Sequence, residues 1–122
     1  MRALLVEDEP LVAMIAEEAL MSLGFEALAA RNGAEALAAM NDFGPALAVV
    51  DVGLPDIRGD ELSRRLRALD ANLSIIVASG YDEDELAAQF QHDDKIAILP
   101  KPYTESDLAR VARSLGFDVV AT

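Results

Sequence analysis

The chain has 122 residues, a net charge of −12, 52% apolar residues, 5% aromatics and no cysteine. This length bounds a single domain, and the missing cysteine excludes disulfides, thiolate catalysis and thiolate metal sites. The acidic balance argues against direct binding to nucleic-acid phosphates, and the first apolar stretch, which stops at Glu7-Asp8-Glu9, is too short for a signal peptide or a membrane span.

A first strand is predicted over about Arg2–Val6. A helix then starts near Pro10, a residue suited to the first helical position. Its apolar stripe reads Val12, Ile15, Ala16, Ala19 and Leu23, and Gly24 stops it. A second strand is predicted over Phe25–Ala30. Asn32-Gly33 then turns the chain into a helix striped by Ala34, Leu37 and Ala38. The third strand, Ala46–Val50, carries Asp51 at its tip. After Pro55 and Gly59 comes a helix striped by Leu62, Leu66 and Leu69. The fourth strand is about Ser74–Ala78, followed by Ser79-Gly80 and a short helix with Leu86 and Phe90. The fifth strand, Ile96–Leu99, leads through Thr104-Glu-Ser-Asp107, a capping-box variant. The last helix carries Leu108, Val111, Ala112 and Leu115. Strands three to five read as near-continuous apolar runs, the pattern of strands covered on both faces. The predicted class is therefore α/β, a doubly wound parallel sheet. The mildly apolar tail from Phe117 is read as packing on the domain.

A parallel sheet gathers its strand C-termini along one edge, and chemistry collects there. That edge receives Glu7 and Asp8, Asp51, Ser79 and Lys101. Two carboxylates about 4–5 Å apart repel by roughly 3–4 kcal/mol at an effective dielectric near 20. Three need either protonation or a cation. A hard, oxygen-ligated divalent ion suits them, and Mg2+ is the abundant candidate. Helix-dipole complementation also accounts for Glu7, Asp8 and Glu9, but a carboxylate ending an apolar strand needs its own partner. The set suggests a metal-assisted phosphoryl site with Asp51 as the acceptor. Lys101, held between Pro100 and Pro102, could pair with Asp51 and later with phosphoryl oxygens. Ser79 could donate to the same oxygens. It has no evident base beside it, so it is not read as a nucleophile. His92, in an acidic stretch, is read as a surface residue.

The chain resembles the receiver domain of bacterial two-component response regulators from end to end. The resemblance rests on Leu4-Leu-Val-Glu-Asp-Glu-Pro10, Gly24-Phe25 and Asn32-Gly33-Ala-Glu-Ala-Leu37. It rests further on Asp51-Val-Gly-Leu-Pro-Asp-Ile-Arg-Gly59, Ala78-Ser79-Gly80 and Lys101-Pro102-Tyr103. It implies a flavodoxin-like fold with a five-stranded sheet ordered 2-1-3-4-5. It also implies that Asp51 accepts a phosphoryl group from a partner phosphohistidine. Asp8, Asp51 and the Gly53 backbone carbonyl would ligate Mg2+, with Glu7 acting through water. Lys101 and Ser79 would bind phosphoryl oxygens, and Lys101-Pro102 would be cis. The domain would catalyse only its own phosphorylation and hydrolysis. Its partners would be a sensor histidine kinase or histidine phosphotransfer protein, docked near the first helix, and a downstream protein. The downstream protein would meet the face formed by the fourth helix, fifth strand and fifth helix. A single cytoplasmic receiver domain over residues 1–122, without an output domain, nucleic acid or membrane contact, is expected.

The chain departs from the family pattern at Ile98, where many receivers carry a switching aromatic ring. Tyr81, two residues after Ser79, is the nearest substitute as gate or switch. Loop packing against the fourth helix is the alternative role for it. Two other functions compete. A Mg2+-dependent phosphatase with an aspartyl nucleophile often carries an acid two residues further on, where this chain has Gly53. A flavodoxin-like electron carrier needs Ser and Thr donors in its first loop, where this chain has Glu7-Asp-Glu9.

Overall fold

The computed structural model describes residues 1–80 and 83–120. Among these, strand and helix alternate: β1 (Arg2–Val6), α1 (Pro10–Ser22), β2 (Glu26–Ala30), α2 (Gly33–Phe43) and β3 (Leu47–Asp51) come first. They are followed by α3 (Gly59–Leu69), β4 (Ser74–Ser79), α4 (Glu83–Gln89), β5 (Ile96–Pro100) and α5 (Glu105–Ser114). The strands form one parallel sheet in the order β2-β1-β3-β4-β5, as the resemblance implies. Asp51 belongs to β3 as its last residue rather than following it.

Successive strand side chains point to opposite faces, and this alternation builds two cores. Ala3, Leu5, Leu47, Val49 and Ile76 face α1 and α5, meeting Ala16, Leu20, Leu108 and Val111. Leu4, Val6, Val50, Ile75 and Val77 face the other layer, under Ala36 of α2, Leu62 and Leu66 of α3 and Leu86 of α4. Every residue of β4 is buried, and so is all of β3 except half-buried Asp51. β5 departs from the expected double coverage: Ile96, Ala97 and Ile98 are only half-buried. It is an edge strand, with no strand neighbour on its outer flank among the described residues.

The predicted helix stripes need correction. In α1, Ala16 is buried as predicted, Ala19 packs on the core and Leu23 is buried just past the helix end, but Leu20 joins them and Ile15 is 60% exposed. Leu11, Val12, Met14, Ile15, Ala16 and Leu20 wrap apolar surface around most of α1, so periodicity alone does not choose its inward side. In α2, Ala36 and Gly33 turn inward and Ala34 and Ala38 outward. In α3, Leu62 and Leu66 are buried, but Leu69 is the helix's last residue and lies exposed. Leu86, Phe90, Leu108, Val111 and Ala112 are buried as predicted. Pro10 sits in the first turn of α1, and Thr104 with Asp107 forms a complete capping box on α5. The tail packs as expected through residue 120. Phe117 stacks edge-on against Phe25 at 5.5 Å, and the Val120 N–H donates to the Leu23 carbonyl at 3.0 Å. No helix among the described residues is long and apolar enough to cross a membrane.

Candidate functional site

The C-terminal ends of β1, β3, β4 and β5 meet along one edge of the sheet. In-register pairing of Val6 with Val50, Asp51 with Ala78, and Ser79 with Pro100 brings their following residues side by side. Carboxylate oxygens of Glu7, Asp8 and Asp51 all lie within 4.8 Å of one another. Lys101 Nζ approaches Asp51 Oδ1 at 3.0 Å and Glu7 Oε1 at 3.5 Å. The Lys101 N–H donates to the Ser79 carbonyl at 2.8 Å, which fixes the lysine's backbone to β4. The Lys101-Pro102 peptide is cis. Of the predicted site residues, Glu7, Asp8, Asp51 and Lys101 come into contact range, and Gly53 and Ser79 line the same cavity. That cavity, about 370 Å³, is bounded by Asp51, Gly53, Arg58, Ser79, Gly80 and Lys101 among others.

Burial shapes the charges. Glu7 is 5% exposed, and this burial pushes its carboxyl above the ordinary range. The Asp51 charge adds to that push, while the Glu9 N–H, bonded to Glu7 Oε2 at 3.2 Å, and the Lys101 ammonium oppose it. For Lys101, desolvation favours the neutral amine, but Asp51 and Glu7 together outweigh it and hold the ammonium above its ordinary pKa. Tyr103, next to Pro102, is pushed up to about 12, chiefly by burial and then by Glu7.

The donor set fits a hard divalent cation. Three carboxylates within 4.8 Å face a single ammonium, which leaves an excess of negative charge at a partly open pocket. An oxygen-only ligand set of this kind suits Mg2+, which keeps several waters of its own.

A family model described as the response regulator receiver domain matches residues 3–113. The chain belongs to this family. As a receiver it is 38% identical over 114 residues to the sensor kinase CckA of Brucella abortus, covering 92% of this chain and 12% of that kinase. It therefore spans a small part of that relative's length. Among solved structures, a CheY-like receiver domain from Methylobacillus flagellatus superposes with a TM-score of 0.81 at 31% identity. The match covers 94% of this chain and 98% of that one. The response regulator TrrA of Thermotoga maritima, solved in complex with Mg2+-BeF, gives 0.81 at 26% identity, covering 93% and 97%. The receiver is thus a phosphoacceptor signalling module of the two-component type, with the acidic pocket at which such domains generally bind Mg2+.

Ile98 is the residue expected at the ring position of the family's switch. It is half-buried, pairs with Val77 and packs against the core beneath α3 and α4. Tyr81, the proposed substitute, lies outside the described residues. His92 is exposed, as read from the sequence.

Two further residues of the β3–α3 loop escaped sequence reasoning. Asp56 accepts from the N–H groups of Gly33 at 2.9 Å and Ala34 at 3.1 Å, so this loop caps α2 from across the domain. The Gly33 bond is the main cause of its lowered pKa. Arg58 lines the acceptor cavity. A cation at the start of a helix, where an oxygen-bearing cap is usual, was the available signal for it.

Proposed function

We propose that Asp51 is the phosphoacceptor of a two-component phosphorelay, taking its phosphoryl group from a phosphohistidine on a partner protein. The observation that carries this reading is the position of the Asp51 carboxylate. It ends a buried strand, is 12% exposed, and faces both the Glu7-Asp8 pair and Lys101 Nζ at 3.0 Å.

In the transfer, an Asp51 oxygen forms the new P–O bond as the P–N bond of the phosphohistidine breaks. The electron pair returns to the imidazole nitrogen, which takes up a proton. The Lys101 ammonium exchanges its carboxylate partner for phosphoryl oxygens, and the Ser79 hydroxyl donates to another. Asp8, Asp51 and the Gly53 carbonyl would hold Mg2+, with Glu7 acting through water, and the bound ion would supply charge neutralisation. The remaining work is positioning, which is what phosphoryl transfer chiefly requires. Later attack of water on the same phosphorus returns free Asp51.

The partner kinase or histidine phosphotransfer protein docks over α1. Leu11 (64% exposed), Met14 (52%) and Ile15 (60%) form an apolar strip there. An apolar cleft of about 340 Å³ beside it, lined by Val12, Ile15, Ala16, Pro102 and Tyr103 among others, continues to Lys101. The downstream protein reads the α4-β5-α5 face, and the site of action is cytoplasmic. Incubation with a small phosphodonor and Mg2+, followed by intact mass, tests the acceptor. One phosphoryl group on the wild type and none on Asp51→Asn is expected. No labelling, or equal labelling of the variant, would refute the assignment.

A further inference from the structure

Arg58 stands at the N-cap of α3, where Ser, Thr, Asp or Asn is favoured because a side-chain oxygen accepts from the helix's free N–H groups. Arginine has no acceptor, and this cap makes no side-chain hydrogen bond. The guanidinium has a different set of neighbours. Its Nε donates to Asp60 Oδ1 at 3.0 Å, and Asp60 is only 6% exposed. This bond anchors one edge of the guanidinium. The two terminal amino groups have no partner among the described residues, and the side chain is 62% exposed.

Arg58 lines the cavity that contains Asp51, Ser79 and Lys101. Lys101, the other cation there, is committed to Asp51 and Glu7. On the cavity wall, a Cβ built at Gly80 meets no described atom within 4 Å, and one at Gly53 meets, among the described residues, only Asp51 Oδ2 at 3.8 Å. The cavity volume, about 370 Å³, falls in the range of small-ligand pockets, roughly 300–1,000 Å³. An anchored guanidinium whose terminal amino groups have no partner among the described residues, on a residue that lines a roomy cavity whose lysine is occupied, is suited to bidentate binding of phosphate oxygens.

We propose that Arg58 is the donor-binding residue of this receiver, holding the phosphoryl oxygens of an incoming dianionic phosphodonor in line with Asp51. The inference rests on Asp51 being the acceptor. With acetyl phosphate, the Asp51–phosphorus bond forms as the bond between phosphorus and the acyl oxygen breaks. Acetate leaves with the electron pair. With phosphoramidate the P–N bond breaks, and the amine nitrogen takes the pair and a proton from solvent. Arg58 donates hydrogen bonds and takes no part in the proton transfers.

The test follows labelling time courses by intact mass, in Mg2+, over a range of each donor. Arg58→Ala is expected to raise the half-saturating concentration about tenfold for both donors, with the loss in that concentration rather than in the limiting rate. Arg58→Lys, which keeps the charge but not the fork, is expected to recover part of the loss. The wild-type rate at low donor should fall more steeply with added salt than that of Arg58→Ala. Three results would overturn the proposal: an unchanged half-saturating concentration, a loss confined to the limiting rate, or an effect on acetyl phosphate alone. A wild type that does not label refutes the Asp51 assignment instead, so the two failures are separable.

Discussion

Gly59 opens α3 directly over the end of β3, and replacing it with alanine tests whether that contact sets the position of Asp51. A Cβ there falls 2.2 Å from the Asp51 carbonyl oxygen, and 2.7 Å from both the Asp51 carbonyl carbon and Val52 Cα. All three are backbone atoms and cannot rotate away. The Gly59 N–H also donates to the Val52 carbonyl at 2.9 Å, which ties the helix start to the same loop. Reaching an ordinary contact of 3.4 Å requires the helix start and the strand end to part by about 1 Å. Overpacking of this kind costs roughly 1–3 kcal/mol, and an immovable backbone places it near about 3. For a chain of this size, each kcal/mol lowers Tm by roughly 3–5 °C, so a drop of about 10 °C is expected. A displacement of about 1 Å at a reacting group reduces rates by about 100-fold. Circular dichroism melts and the initial rate of labelling by acetyl phosphate measure the two effects. A Gly59→Ala protein that melts within about 2 °C of wild type and labels within about threefold would show the reasoning to be wrong.

Gly33→Ala should also destabilise, because its Cβ would lie 2.3 Å from Ile57 Cγ2. Ile57 is a side chain that can give way, so about 1 kcal/mol in urea unfolding is expected, and an unchanged midpoint would contradict the loop-to-helix contact. Arg67 joins α3 to the segment before β5, with Nε at 2.8 Å from Asp93 Oδ2 and bonds to the carbonyls of Asp70, Ala71 and Leu73. Arg67→Met should cost about 2 kcal/mol in the same assay. Burial alone would raise the Asp93 pKa, but the Arg67 guanidinium and the Lys95 N–H outweigh it and lower the value. A lowered folded pKa gives stability that is fully present above the unfolded value, about 3.9, and lost as pH falls through the folded one. The Tm gap between wild type and Asp93→Asn should therefore be widest near neutral pH and close below about pH 4; a constant gap would count against this account. Asp8→Asn removes one carboxylate from the acidic triad. Mg2+ affinity, read from amide chemical shifts, should fall by about tenfold or more, and an unaltered titration would remove Asp8 from the ligand set.

Features that depend on short stretches of chain were legible before the fold was known. Apolar runs broken by turn residues located the five strands to within a residue at most ends, and Pro10 and the Thr104–Asp107 box located helix starts. Because parallel strands share a direction, knowing their ends was enough to assemble Glu7, Asp8, Asp51, Ser79 and Lys101 on one edge. The sequence by itself therefore determined the fold class and the composition of the acidic site. What it left open depends on how elements lie across one another. Periodicity counts Ile15 as inward because α1 is apolar on more than one side; the packing of α1 on the sheet retains Ala16 of that stripe, adds Leu20 and leaves Ile15 exposed. Asp56 reaches Gly33, and Arg58 reaches the acceptor cavity, only because the β3–α3 loop folds back over two helix starts. Local periodicity carries no record of such crossings. The tertiary structure decided which apolar face of α1 stays exposed beside the site and where the second cation of the cavity stands.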